Sequence, residues 1–148
     1  FNLMSQDDYL KYWRVIRYYY QRKHNLKASE LDTLVFLFSE KYFTKKKFLE
    51  FDELFSWDDR RFDNLHSKGW IITFSRSSIP YKTIYQLSPK TVNMIKDIYN
   101  KLSGEELSVD PEINPLFKKN VKYTDKVYRN MIKKMNKFIR QQQRPSQE

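Results

Sequence analysis

Arg60, Arg61 and Asn64 alternate with Phe62 and Leu65, a spacing that sets polar groups on one side of a short helix and apolar groups on the other. An arginine guanidinium donates two parallel hydrogen bonds to a guanine edge, and an asparagine amide pairs in the same way with adenine. Each such pair discriminates against the wrong base by roughly 1–3 kcal/mol. The bland alternative is a solvated face on which the arginines pair with Asp58, Asp59 or Asp63. Lys45, Lys46 and Lys47 form a second cationic group, suited to phosphate oxygens or to water alone. Arg76 and Lys82 bound a third, in the polar loop 76–82, where a narrowed minor groove or plain solvent would serve them equally. Asp58 and Asp59 oppose phosphate binding, and capping of a helix start is their expected role.

Other chemistries lack their residues. The chain has no cysteine, two histidines (His24 and His66) and two glycines, so it offers no thiolate nucleophile, no metal-ligand spacing and no glycine-rich phosphate cradle. No serine sits in a Gly-x-Ser-x-Gly elbow, and neither histidine belongs to a triad-like arrangement. The expectation is a protein that is not an enzyme and carries no cofactor.

These groups need elements to hold them. Asp7 and Asp8 precede an apolar stripe at 9, 12, 13, 16, 19 and 20, which predicts a first helix ending near Asn25. Residues 28–41 read as a nearly all-apolar second helix through Leu31, Leu34, Val35, Leu37 and Phe38. Thr44 caps a short third helix with Phe48, Leu49 and Leu54 inward. Ser56 caps a fourth, with Trp57, Phe62 and Leu65 inward and Gly69 as its left-handed stop. The β-rich runs 70–75 and 83–87 flank the polar loop. Ser88-Pro89 starts a fifth helix over 89–102 that buries Val92, Ile95, Ile98, Tyr99 and Leu102. Residues 103–115 read as an acidic linker, residues 124–143 as a last helix, and 144–148 as a frayed tail.

The expected fold class is mostly α with a small β wing: a single domain over 1–148, in which 26–88 form a winged helix-turn-helix and 1–25 and 89–143 supply flanking helices of dimerisation type. Leu65-His-Ser-Lys-Gly69-Trp-Ile-Ile resembles the Leu-x-x-Lys-Gly-hydrophobic-Ile stretch of the MarR family of winged-helix regulators. Tyr85-Gln-Leu-Ser88, with a helix after it, is similar to that family's strand ending in Leu-Thr. The family's Asp-x-Arg wing pair and the glycine after Leu-Thr are missing here, with Pro89 and Lys90 in the latter region. The resemblance implies transcription regulation, a fourth helix in the major groove, a wing tip at the minor groove, a dimer built by the first and last two helices, and a small-molecule pocket. On this reading Lys45, Lys46, Lys47, Arg60, Arg61, Asn64, Arg76 and Lys82 contact double-stranded DNA. Tyr12, Trp13 and Ile16 would meet Val127, Met131, Met135 and Phe138 in a homodimer, although that stripe could instead close on the chain's own first helix.

The charge qualifies this expectation. Of the net +10, residues 26–87 hold only +1 (ten Lys/Arg against nine Asp/Glu), whereas 114–148 hold +8 (ten against two). The near-neutral head leaves two alternatives open: a winged-helix protein-interaction module in a viral or transcription assembly, and a non-specific nucleic-acid binder that uses the last helix. No apolar run approaches the ~20 residues of a membrane helix, and no charged-then-apolar leader is visible. The expected location is cytoplasmic, in a bacterium or, for a viral protein, in the host cytoplasm or the virion, with no membrane partner.

Overall fold

The structure, a computed structural model, describes residues 6–52 and 60–143. Among them it is mostly helical with a small two-stranded antiparallel sheet, in the order α1 (Gln6–His24), α2 (Ala28–Leu37), α3 (Lys45–Asp52), α4 (Arg60–Ser67), β1 (Ile71–Ser75), β2 (Ile84–Leu87), α5 (Pro89–Leu102) and α6 (Tyr123–Gln143). The chain forms two compact units. The inner one is Ser29–Lys96, and the terminal one joins Phe1–Ala28 to Asp97–Glu148. The expectations for Leu54, Ser56, Trp57, Asp58, Asp59 and the tail 144–148 fall outside the described residues.

In the inner unit the helix boundaries follow local chemistry. The Thr44 hydroxyl accepts from the Lys47 N–H at 3.2 Å and so starts α3. Helix α2 stops at Leu37, short of the expected Lys41. There the Phe38 and Glu40 N–H groups bond back three residues, to Val35 and Leu37, and tighten the chain into a turn. Gly69, at φ 82°, closes α4: its N–H reaches the His66 carbonyl at 3.1 Å, and the Trp70 N–H reaches Leu65 at 2.9 Å. Those two bonds satisfy carbonyls that the helix end leaves open.

Strands β1 and β2 pair Ile71 with Leu87, Ile72 with Gln86 and Thr73 with Tyr85, then slip in register before Ser75 meets Ile84. Phe43, just ahead of α3, adds a bridge to Tyr85 through two backbone bonds of 3.0 and 2.8 Å. The bridge ties the segment before α3 to the far strand of the hairpin. Around it Phe48 packs edge-on to Phe62 (5.1 Å between centroids) and Phe62 edge-on to Tyr85 (4.8 Å), a cluster that fixes α3 and α4 against the sheet. Ser88 and Thr91, both buried, share a hydroxyl bond of 2.9 Å, and the Thr91 hydroxyl donates to the Trp70 carbonyl at 2.7 Å. Helix α5 is thereby pinned where the hairpin begins and ends. Its expected core holds at Ile95 and Ile98, but Tyr99 is 53% exposed because it lies on the outer side of the helix.

In the terminal unit α1 and α6 run antiparallel: Tyr12 meets Phe138, Tyr18 stacks on Tyr128 at 4.0 Å, and Arg22 meets Asp125. Asp125 is fully buried and accepts from the Tyr18 hydroxyl at 2.6 Å and from Arg22 at 3.2 Å on each oxygen. Asn25, at φ 54°, ends α1 as the sequence implies. The segment expected to be a linker is instead fastened to α6. The buried Asn136 amide accepts from the Leu107 N–H at 3.0 Å and donates to the Leu107 carbonyl at 2.8 Å, as a neighbouring strand would. Buried Asn114 caps the turn Pro115–Phe117, and Leu107 and Leu116 enter the core.

Candidate nucleic-acid interface

Lys45 joins the inner unit's three candidate surfaces. Its ammonium lies 3.3 Å from the Asp63 carboxylate on α4 and 5.2 Å above the Phe62 ring. With Lys46, Leu49 and Glu50 it also lines an open cleft of about 600 Å³, whose opposite wall is Pro80, Tyr81 and Tyr85 of the hairpin. The start of α3, the outer face of α4 and the loop between the strands therefore meet at one place. The loop keeps its shape through one turn of 3-10 helix over Pro80–Lys82 and through the Thr83 hydroxyl, which accepts from the Ser77 N–H at 3.3 Å. Tyr81 stands 71% exposed at its tip, and Arg76 and Lys82 flank it in solvent.

The sequence candidates divide. Lys45, Lys46, Arg60, Asn64, Arg76 and Lys82 are exposed. Lys47 is exposed as well but lies 3.7 Å from Glu40, so part of its charge is answered within the chain. Arg61 is corrected: it is 5% exposed, and a guanidinium drawn into the fold cannot also lie along a base edge. Its aliphatic stem suits a position beside buried Phe62 and Leu65, and alternation along the sequence is too coarse to see this. His66 is half-buried. It stacks on Phe62 and has its Nε2 3.2 Å from the Thr73 hydroxyl.

Tyr81 was missed as a candidate, although an aromatic residue beside Pro80 in a basic loop was a readable signal. The exposed pair Tyr42 and Phe74, 4.4 Å apart, carried no such signal. Phe74 lies on β1 at the register slip between Thr73 and Ser75 and is 52% exposed.

The assembly candidates in the terminal unit are also redistributed. Tyr12, Ile16 and Met135 are buried within the chain itself, Tyr12 against Phe138, so their burial needs no second copy. Trp13 and Phe138 are half-buried. Val127 and Met131 remain exposed at 38% each and, with Arg14, Tyr123 and Tyr128, line a hollow of about 350 Å³.

Burial raises the Tyr18 hydroxyl pKa, helped by its hydrogen bond to Asp125, to about 12. For Asp125 burial alone would favour the neutral acid. The bonds from Tyr18 and Arg22 and the Arg22 charge outweigh it and hold the carboxyl below its ordinary range. The Tyr20 hydroxyl is raised by burial and by its bond to Asp97. These are structural carboxylates and phenols with partners in place. Among the described residues no group of three His, Cys, Asp or Glu could hold a metal ion, and no helix is long and apolar enough to cross a membrane. Comparison of the chain with protein-family models, curated proteins and solved structures returned no match.

Proposed function

We propose that the inner unit is a winged helix-turn-helix that binds double-stranded DNA, and that the protein is a MarR-like transcription regulator. The observation that carries this reading is the meeting of α3, α4 and the hairpin loop at Lys45, with Lys46, Arg60, Asn64, Arg76 and Lys82 exposed on those elements. Helix α4 enters the major groove with Asn64 toward base edges, the start of α3 meets phosphates through Lys45 and Lys46, and Arg76 and Lys82 reach the backbone or the minor groove. Lysine–phosphate contact supplies most of the affinity, and Asn64 with Arg60 supplies the sequence preference. A homodimer belongs to the reading, with exposed Val127 and Met131 in the contact rather than Ile16 and Met135.

A specific observation favours a second reading, a protein-interaction module. Asp63 answers the charge of Lys45, Glu40 that of Lys47, and Tyr42 with Phe74 presents an exposed aromatic surface such as protein partners use.

Selection from a random duplex pool, followed by titration of the enriched sequence and a scrambled control, separates the two. The regulator enriches a pseudo-palindrome with half-sites about one helical turn apart, and Asn64→Ala erases the preference without changing the melting temperature. Binding that is absent near physiological salt, or equal on both duplexes, rejects the sequence-reader assignment.

A further inference from the structure

The terminal unit carries a cationic surface that the DNA-reading assignment leaves unused. At 3.6 residues per turn, Lys126, Lys133 and Lys137 fall within an arc of about 40° on α6 and span roughly 16 Å along its axis. All three are exposed, and the polar residues Asn130 and Gln141 border them. Lys118 and Lys119, also exposed, lie in the segment that leads into the helix. Carboxylates nearby are already engaged: Asp125 is turned inward onto Tyr18 and Arg22, and Glu106 pairs with Arg140 at 3.1 Å. Among the described residues no ion pair is made by Lys126, Lys133 or Lys137, and the Lys133 ammonium lies 5.9 Å from the centre of the Phe117 ring. Three like charges on one stripe repel one another, and an arrangement so poorly compensated is stabilised by a bound polyanion.

We propose that this stripe is a second nucleic-acid contact, which grips the phosphate backbone of a duplex without reading its sequence. A membrane surface fits less well. A helix lying in a bilayer interface needs its apolar face free to enter the acyl boundary, whereas Ile132, Met135 and Ile139 are fully buried within the chain. Stacking on unpaired bases fits less well too: of the α6 rings only Tyr123 is exposed, whereas Tyr128 and Phe138 are half-buried, and a single-strand platform stacks successive bases on several rings. A duplex offers one phosphate per ~1.7 Å of axis, enough to meet each lysine of a straight 16 Å stripe. The inference does not rest on the role assigned to the inner unit.

The test is a salt titration of the full chain on a short duplex of random sequence, read by fluorescence anisotropy. It compares wild type with the triple variant Lys126→Gln, Lys133→Gln, Lys137→Gln and, separately, with Lys45→Gln, Lys46→Gln. Each phosphate contact contributes about 0.9 to the slope of log K against log salt. Removal of three should therefore flatten the slope by about 2.7, so that affinity falls about 40-fold less than in wild type between 50 and 200 mM salt. An unchanged slope in the α6 variant, with its melting temperature preserved, overturns the proposal. So does binding to phosphatidylserine vesicles that the α6 variant loses while its duplex binding stays intact. If the α6 variant flattens the slope but the α3 variant does not, this inference stands and the DNA-reading assignment of the inner unit fails.

Discussion

Asn136→Ala removes one side chain and strips two backbone groups of their partners. The amide is 2% exposed, and its bonds to the Leu107 N–H and carbonyl are 3.0 and 2.8 Å long. Alanine leaves both groups in a buried setting where water replaces the amide imperfectly. An unsatisfied buried group costs about 1–3 kcal/mol, so the pair should cost about 2–4 kcal/mol. In urea, with a slope of about 1–3 kcal/mol per molar, the midpoint of the terminal unit's transition should fall by about 1–2 M. Hydrogen exchange at the Leu107 amide reports the same event locally and should lose protection in step. Asn136→Asp sharpens the test. Near neutral pH its carboxylate can still accept from the N–H but faces the carbonyl as a second acceptor, so it should destabilise at least as much as alanine. Burial beside that acceptor raises the new carboxyl's pKa. Once protonated, the acid regains a donor, so the defect should shrink as the pH falls through the raised value and be smallest by about pH 4, the unfolded value. A loss under 0.5 kcal/mol in Asn136→Ala, with Leu107 exchange unchanged, would refute the claim that this amide fastens the 103–115 segment.

Three further outcomes follow from the same geometry. Asp125 has a lowered pKa in the folded chain, so its contribution to stability is complete above its unfolded value near 4 and disappears as the pH drops through the folded value. The acid limb of a stability–pH curve should accordingly flatten in Asp125→Asn, and an unchanged limb would contradict the assignment. Gly69→Ala should cost about 1–2 kcal/mol by thermal unfolding. The new Cβ would meet Lys90 Nζ only at an ordinary 3.5 Å, so the cost comes from holding φ at +82° and not from a clash. Arg61→Ala should lower the melting temperature, whereas Asn64→Ala should not. Equal melting temperatures for the two would contradict the burial of Arg61.

Signals that act within a few residues were legible in the chain. Asn25 and Gly69 take the left-handed conformation at helix ends, the Thr44 hydroxyl caps α3, and Ser88-Pro89 starts α5, because each needs only its own neighbours to act. The hairpin was legible for the same reason, since two β-rich runs around a polar loop have few other ways to satisfy their backbone groups. The sequence likewise showed that its positive charge gathers after residue 113. The packing decided what periodicity leaves open. A basic residue such as Arg61 has an aliphatic stem, and whether that stem goes inward depends on what lies across from it. The acidic, proline-containing stretch 103–115 carries the composition of a loose linker, yet an asparagine 29 residues beyond Leu107 supplies it with backbone-like bonds. The α6 stripe could have met a partner or its own α1, and the stacking of Tyr18 on Tyr128 together with the burial of Asp125 under Arg22 decided for α1. Long-range pairing depends on three-dimensional complementarity between segments far apart in the chain, and no local pattern of residue types encodes which segments will meet.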